Sequence, residues 1–89
     1  MNKKIYVGNL HFQATEPDLK TLFSNAGDVS SVKIIRDHQT SQPRGFAIVE
    51  MSTQWEAQRA ISMLNRKSFM QKVLLVKEAR VNHGFRERW

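Results

Sequence analysis

Apolar positions along the chain recur with two periods, and their order divides it into six elements. In Ile5-Tyr6-Val7-Gly8-Asn9-Leu10 and in Arg44-Gly45-Phe46-Ala47-Ile48-Val49-Glu50-Met51 the period is two, that of a strand with one buried face. Ile5 and Val7 then point inward, with Tyr6 and Gly8 outward. Ala47, Val49 and Met51 also point inward, with Arg44, Phe46, Ile48 and Glu50 outward. Between these strands, Leu19, Leu22, Phe23 and Ala26 follow the i, i+3, i+4, i+7 spacing of a helix. Thr15 is its expected N-cap, Glu16, Pro17 and Asp18 fill its first turn, and Gly27 is its expected left-handed terminator. Val29 to Asp37 is predicted as a strand, with Val32 and Ile34 inward and Lys33 and Ile35 outward. His38 to Pro43 is a polar loop. Thr53-Gln54-Trp55-Glu56 has a capping-box pattern ahead of a stripe of Ala57, Ala60, Ile61 and Leu64. Asn65 to Lys72 reads as a turn-rich connection, and Val73 to Ala79 as the last strand, with Leu74 and Val76 inward.

The order strand-helix-strand-strand-helix-strand predicts an α+β, ferredoxin-like βαββαβ sandwich. Its four-stranded antiparallel sheet carries both helices on one face and leaves the other face open. On that open face the strand period places Tyr6 and Phe46, two rings that a water-exposed surface seldom carries without a use. Two rings on one sheet can stack two bases.

The two strand motifs are similar to those of the RNA-recognition motif (RRM) family. Arg44, Gly45, Phe46, Ala47 and Val49 match its octapeptide, Ile48 and Met51 depart from it, and Ile5 to Leu10 match its hexapeptide throughout. Similarity runs from about Lys3 to Ala79, and a small, stand-alone bacterial RRM protein is the nearest resemblance. It implies a single-stranded RNA-binding protein in RNA metabolism or post-transcriptional regulation, with Tyr6 and Phe46 as stacking platforms. Ile48 stands where the family carries a further ring; isoleucine packs against a base but does not stack as a ring does. Arg44 is expected to pair with phosphate through its planar fork. Lys33 and Lys77 on flanking strands, and Lys4 and Arg80 at strand ends, are further candidates for RNA contact. Asn9 is read first as the holder of a turn and second as an RNA ligand. Single-stranded DNA is a second candidate ligand, since stacking is indifferent to the sugar.

Length and charge narrow this reading. Eighty-nine residues suffice for one small domain, burying about 60% of its unfolded surface. Residues 1–80 are assigned to the domain and 81–89 to a basic C-terminal tail. Fourteen Lys and Arg against eight Asp and Glu give a net charge of +6. Of this, the segment from Arg66 to Trp89 supplies +5, from seven basic and two acidic residues. Such a segment can follow a phosphate backbone, or serve only as a solvated tail. Phe85 and Trp89 in it can fold over the sheet, add stacking surface, or belong to a disordered end.

The chain has no cysteine, which removes disulfides and thiolate zinc sites and fits a reducing compartment. His11, His38 and His83 are dispersed over predicted loops and the tail, and no nucleophile elbow or phosphate-cradling glycine loop is present. No catalysis, cofactor, metal or small-molecule substrate is expected. Without an apolar run long enough for a membrane span or signal peptide, the expected location is the cytoplasm.

A second function competes for the sheet. Ile35, Ile48 and Leu75 all have predicted outward positions, and so apolar an open face suits a protein-interaction module of the same fold. Trp55 lies outside the apolar stripe of its helix and is expected to pack in part against a neighbouring loop.

Overall fold

The computed structural model describes residues 3–37, 39–40 and 43–79. Strand β1 (Lys4–Gly8) is followed by helix α1 (Glu16–Phe23), strands β2 (Val29–Arg36) and β3 (Pro43–Met51), and helix α2 (Gln54–Leu64). A small hairpin of β4 (Ser68–Phe69) and β5 (Lys72–Val73) precedes the last strand, β6 (Leu75–Glu78). The four long strands form one sheet in the order β2-β3-β1-β6, with antiparallel neighbours throughout. The expected architecture is therefore present, with the two motif strands side by side at its centre.

One face of the sheet makes the core. Ile5, Val7, Ala47, Val49, Met51 and Val76 pack with Leu19 and Phe23 of α1 and with Ala57, Ala60 and Leu64 of α2. The alternation that defined the strands thus holds: one side of β1 and β3 is fully buried, while Tyr6, Phe46, Ile48 and Glu50 opposite are half-buried.

Helix α1 starts where expected, with a complete capping box. The Thr15 hydroxyl accepts from the Asp18 amide at 3.3 Å and the Asp18 carboxylate accepts from the Thr15 amide at 3.1 Å. At α2 the pattern is only half used. The Thr53 hydroxyl accepts from the Glu56 amide at 3.1 Å, whereas the Glu56 carboxylate accepts from the Asp28 amide at 3.2 Å. Glu56 thereby ties α2 to the loop before β2.

That tie corrects the reading of Gly27. Helix α1 closes at Ser24 in right-handed geometry, and Gly27 is absent from the residues with positive φ. Its lack of a side chain serves space instead, since a Cβ there would lie 2.7 Å from Cγ of Glu56.

The connection from Asn65 to Lys72 contains structure that the pattern did not show. Met70 (φ 53°) and Gln71 (φ 69°) join β4 to β5, the two left-handed central residues of a type I′ hairpin turn. The predicted strand from Val73 is accordingly divided, Val73 belonging to β5 and Leu75 to β6. Asn65 braces the division by accepting from the Val76 amide at 3.0 Å.

Two outward assignments change as well. Ile35 is buried, with 8% exposed, apart from the main core cluster. The pairing register shifts beside it, between Ile34 and Arg36, where Ile35 alone stands against three residues of β3, 44 to 46, so the irregularity lies on the partner strand. Trp55 is 66% exposed, and its ring meets Arg59 of its own helix, with Cζ 5.5 Å from the centroid, in place of the expected loop packing. Among the described residues, no helix is long and apolar enough to cross a membrane.

Candidate functional site

Antiparallel register assembles the outward side chains into rows that cross the sheet. One row runs Lys33, Ile48, Tyr6, Lys77, because Lys33 pairs with Ile48, Ile48 with Tyr6, and Tyr6 with Lys77. The adjacent row is Phe46, Gly8, Leu75. A third, Glu50, Lys4, follows on the other side, at the start of β1. Aromatic groups therefore occupy the two central strands, with a lysine on each flanking strand.

Tyr6 and Phe46 are diagonal neighbours in adjacent rows, and their ring centroids are 5.5 Å apart with a 32° angle between planes. The spacing lies within the range of favourable aromatic pairs, so the rings steady each other while each remains half-buried. Gly8 makes this possible. A Cβ at Gly8 would stand 2.8 Å from both Cε2 and Oη of Tyr6, so the tyrosine ring lies over a position that a side chain would occupy. Sequence reasoning placed Gly8 outward but gave it no role. The signal was available in a glycine within a strand pattern, which marks a close approach.

Lys77 holds its ammonium 5.2 Å from the Tyr6 ring centroid, within cation–π range. Lys33 is exposed at the far end of the row. Lys4 is exposed on β1, opposite Glu50. Leu75, 52% exposed, borders the Gly8 row on β6. With Ile35 buried, the apolar part of this face reduces to Ile48 and Leu75 around the two rings. The side chain of Arg44 lies outside the described residues, as do Arg80, His38 and the whole tail with His83, Phe85 and Trp89.

Asn9 stands in a turn. It adopts φ 60°, a left-handed conformation in which asparagine is enriched, and its Nδ2 donates to the Val73 carbonyl at 2.7 Å. This bond ties the end of β1 to the β4–β5 hairpin beside the site. Gly45, at φ 87°, adopts a conformation natural only to glycine, and its carbonyl accepts from the Leu10 amide at 2.9 Å.

Beyond β1 lies a pair of rings that sequence reasoning passed over. His11 and Phe12 stack with centroids 4.8 Å apart and planes at 19°, and Phe12 remains 64% exposed. The signal for Phe12 was a single aromatic residue in an otherwise loop-like segment, outside both the strand and the helix periods.

A family model described as RNA recognition motif matches residues 5–75. The protein RbpD of Nostoc sp. (strain PCC 7120) is 42% identical over 76 residues, covering 85% of this chain and 81% of RbpD. Among solved structures, the crystal structure of RNA Binding Protein PG1 superposes with a TM-score of 0.85 at 41% identity, covering 90% of this chain and 96% of that one. An SXL-lethal protein/RNA complex superposes with a TM-score of 0.86 at 32% identity, over 92% of this chain and 49% of that chain.

Proposed function

The chain belongs to the RNA recognition motif family, and from that premise we propose that it binds single-stranded RNA across the open face of its sheet. The observation that carries this reading is the Tyr6–Phe46 pair, 5.5 Å apart at the centre of that face, with Lys33 and Lys77 at the two ends of the Tyr6 row. Each ring offers a surface to one base, and each such stack is worth about 1–3 kcal/mol. The lysines supply positive charge to the phosphates on either side, which positions the strand without reading its sequence. Arg44 at the start of β3 is assigned to the same task through its planar guanidinium. A relative of the same fold seen as a protein/RNA complex supports the assignment.

Stacking and phosphate pairing require no bond to be made or broken, so the role is binding. RNA metabolism or post-transcriptional regulation is the setting we infer, in the cytoplasm, as for a small bacterial protein of this family. Single-stranded DNA is a secondary ligand in this reading, because stacking on a base is indifferent to the sugar. The competing protein-interaction reading rested on Ile35, Ile48 and Leu75. Burial of Ile35 removes one of its three supports.

Salt dependence tests the proposal directly. Affinity for a fluorescein-labelled single-stranded RNA pool is expected to fall with salt at a log-log slope of about −0.7 per phosphate neutralised. Lys33→Gln and Lys77→Gln should each flatten that slope by less than about one unit. Binding that ignores salt would be the behaviour of an apolar protein contact and would reject the RNA reading.

Ile48 gives a gain-of-function prediction. It sits between Tyr6 and Lys33 in the central row, half-buried, where a ring would extend the aromatic surface toward β2. Ile48→Phe is expected to tighten RNA binding about fivefold to tenfold. This is the lower end for a base stack, because isoleucine already supplies some contact. Anisotropy titration of the variant beside the natural protein reads this directly, and unchanged binding would show that bases do not reach β3 at this row.

A further inference from the structure

We infer that the exposed face of α2 is a second contact for single-stranded RNA, in which Trp55 stacks a base and Lys67, Arg66 and Arg59 lead the strand to it from the edge of the sheet. The inference rests on the sheet-face reading and carries the RNA around to the back of the domain.

Trp55 stands two residues before the buried Ala57, about 200° around the helix from it. It therefore occupies the side of α2 that a surface helix gives to polar residues, and it is 66% exposed there. Arg59, one turn on, holds its guanidinium carbon 5.5 Å over the ring centroid, a cation–π contact for which tryptophan is the best ring. A scattered surface residue needs no explanation, but this one is steadied by a cation while most of it meets solvent. A ring so held offers a stacking surface that is tolerant of base identity.

Charge on this face has one sign. Glu56 is the acid of α2, and both of its oxygens are engaged at the start of the helix. Oε2 accepts from the Asp28 amide at 3.2 Å and Oε1 from the Thr53 hydroxyl at 3.1 Å. Arg59 is exposed, as are Arg66 and Lys67 just past the end of the helix. Glu78 borders α2 on another flank, beside Ala57 and Ile61.

The same cations connect α2 to the sheet. The Arg66 amide donates to the Leu74 carbonyl and the Leu74 amide to the Lys67 carbonyl, both at 2.9 Å. This fastens the two residues beside Leu75, the β6 member of the Phe46-Gly8-Leu75 row. A strand leaving the sheet at that row meets Lys67 and Arg66, then Arg59, then Trp55. From the last residue of α2, Leu64, back to Trp55 the helix rises about 14 Å.

A protein partner fits this face less well. A specific interface takes about 800 Å² from each side and must offset the freedom lost on association, yet the exposed large apolar side chains of α2 are Trp55 and Met63 alone. RNA already held on the sheet arrives tethered, at an effective concentration of about millimolar order, so one stack and a few phosphate contacts suffice.

The test uses the full chain with Trp89→Phe, which leaves Trp55 as its one tryptophan, and a randomised 24-nucleotide RNA pool. Such RNA is about 80 Å long even when stacked, against a longest molecular extent of 36 Å. The pool is expected to quench Trp55 emission in step with the anisotropy of its fluorescein label. In the natural chain, Trp55→Ala should weaken binding by about 5- to 150-fold, the fold-change of one base–aromatic stack, while Trp55→Phe keeps most of the affinity. Arg59→Gln combined with Arg66→Gln should flatten the salt slope by about 1.4, two phosphates at about 0.7 each. Emission unchanged at saturating RNA, Trp55→Ala binding within twofold of the natural protein, or a parental salt slope in the arginine variant would each overturn the helix contact. The sheet reading would then stand, with an acidic protein segment as the remaining occupant of α2. Failure of the natural protein to bind the pool would overturn both.

Discussion

Replacing Tyr6 and Phe46 together by alanine is expected to lower affinity for single-stranded RNA by between about 30-fold and about 20,000-fold, the product of two base–aromatic stacks. The fold should survive, because both rings lie on the face away from the core, and their mutual contact contributes only about 0.5–1.5 kcal/mol beyond burial. Lys33 and Lys77 remain in the variant, so its residual binding should keep nearly the parental salt slope. That combination separates lost stacking from lost charge. Fluorescence anisotropy over a salt series, with circular dichroism to verify folding, measures all three quantities. A folded variant that binds within about threefold of the natural protein would place the binding site away from the sheet face.

The second large effect concerns stability. Phe23 is fully buried where α1 packs on the sheet, within the cluster that includes Ile5, Val49 and Leu19. Phe23→Ala is expected to destabilise the fold by about 3–5 kcal/mol, through lost transfer free energy and the cavity left behind. A domain of this length commands about 4–13 kcal/mol in total, so the variant would hold a large fraction less. With a urea slope of about 1–3 kcal/mol/M, its unfolding midpoint should drop by about 2 M with little change in slope. A midpoint within about 0.5 M of the parent would mean that the neighbours collapse into the space, contrary to a close-packed core.

Much of this arrangement could be read from the chain because its central strands are regular. Where pairing is uninterrupted, as from Lys4 to Gly8 against Phe46 to Glu50, alternation decides which side chains face the core. Ile35 shows the limit, since it sits at a register shift whose extra residues belong to the partner strand β3, Gly45 at φ 87° among them, so the period of β2 itself does not announce it. The β4–β5 hairpin was hidden for a different reason. A type I′ turn is normally signalled by glycine or asparagine, and here Met70 and Gln71 take those left-handed positions. Gly27 was misread because glycine permits two things, an unusual dihedral and an empty volume, and only the arrival of Glu56 from a distant helix shows which is used. The site followed the same logic. Tyr6, Phe46, Ile48, Lys33 and Lys77 were placed by strand period, whereas Phe12 belongs to a loop whose shape is set by hydrogen bonds that Asn9 and Leu10 donate to the Val73 and Gly45 carbonyls.

The irregularity of β2 has a bearing on self-association. A sheet that shows aromatic rings to water also has two edge strands, and an unbroken edge is a template on which a second copy can add. Here β2 is interrupted by register shifts near both ends, leaving only Ser31 to Ile34 in continuous pairing. The Ile34 amide is taken by the Glu16 carboxylate at 3.1 Å, so a donor is already occupied by α1. The opposite edge, β6, spans four residues and carries Lys77 and Glu78. Neither border offers a long, bare ladder, so the molecule can display its rings while giving neighbouring copies little backbone on which to grow a fibre.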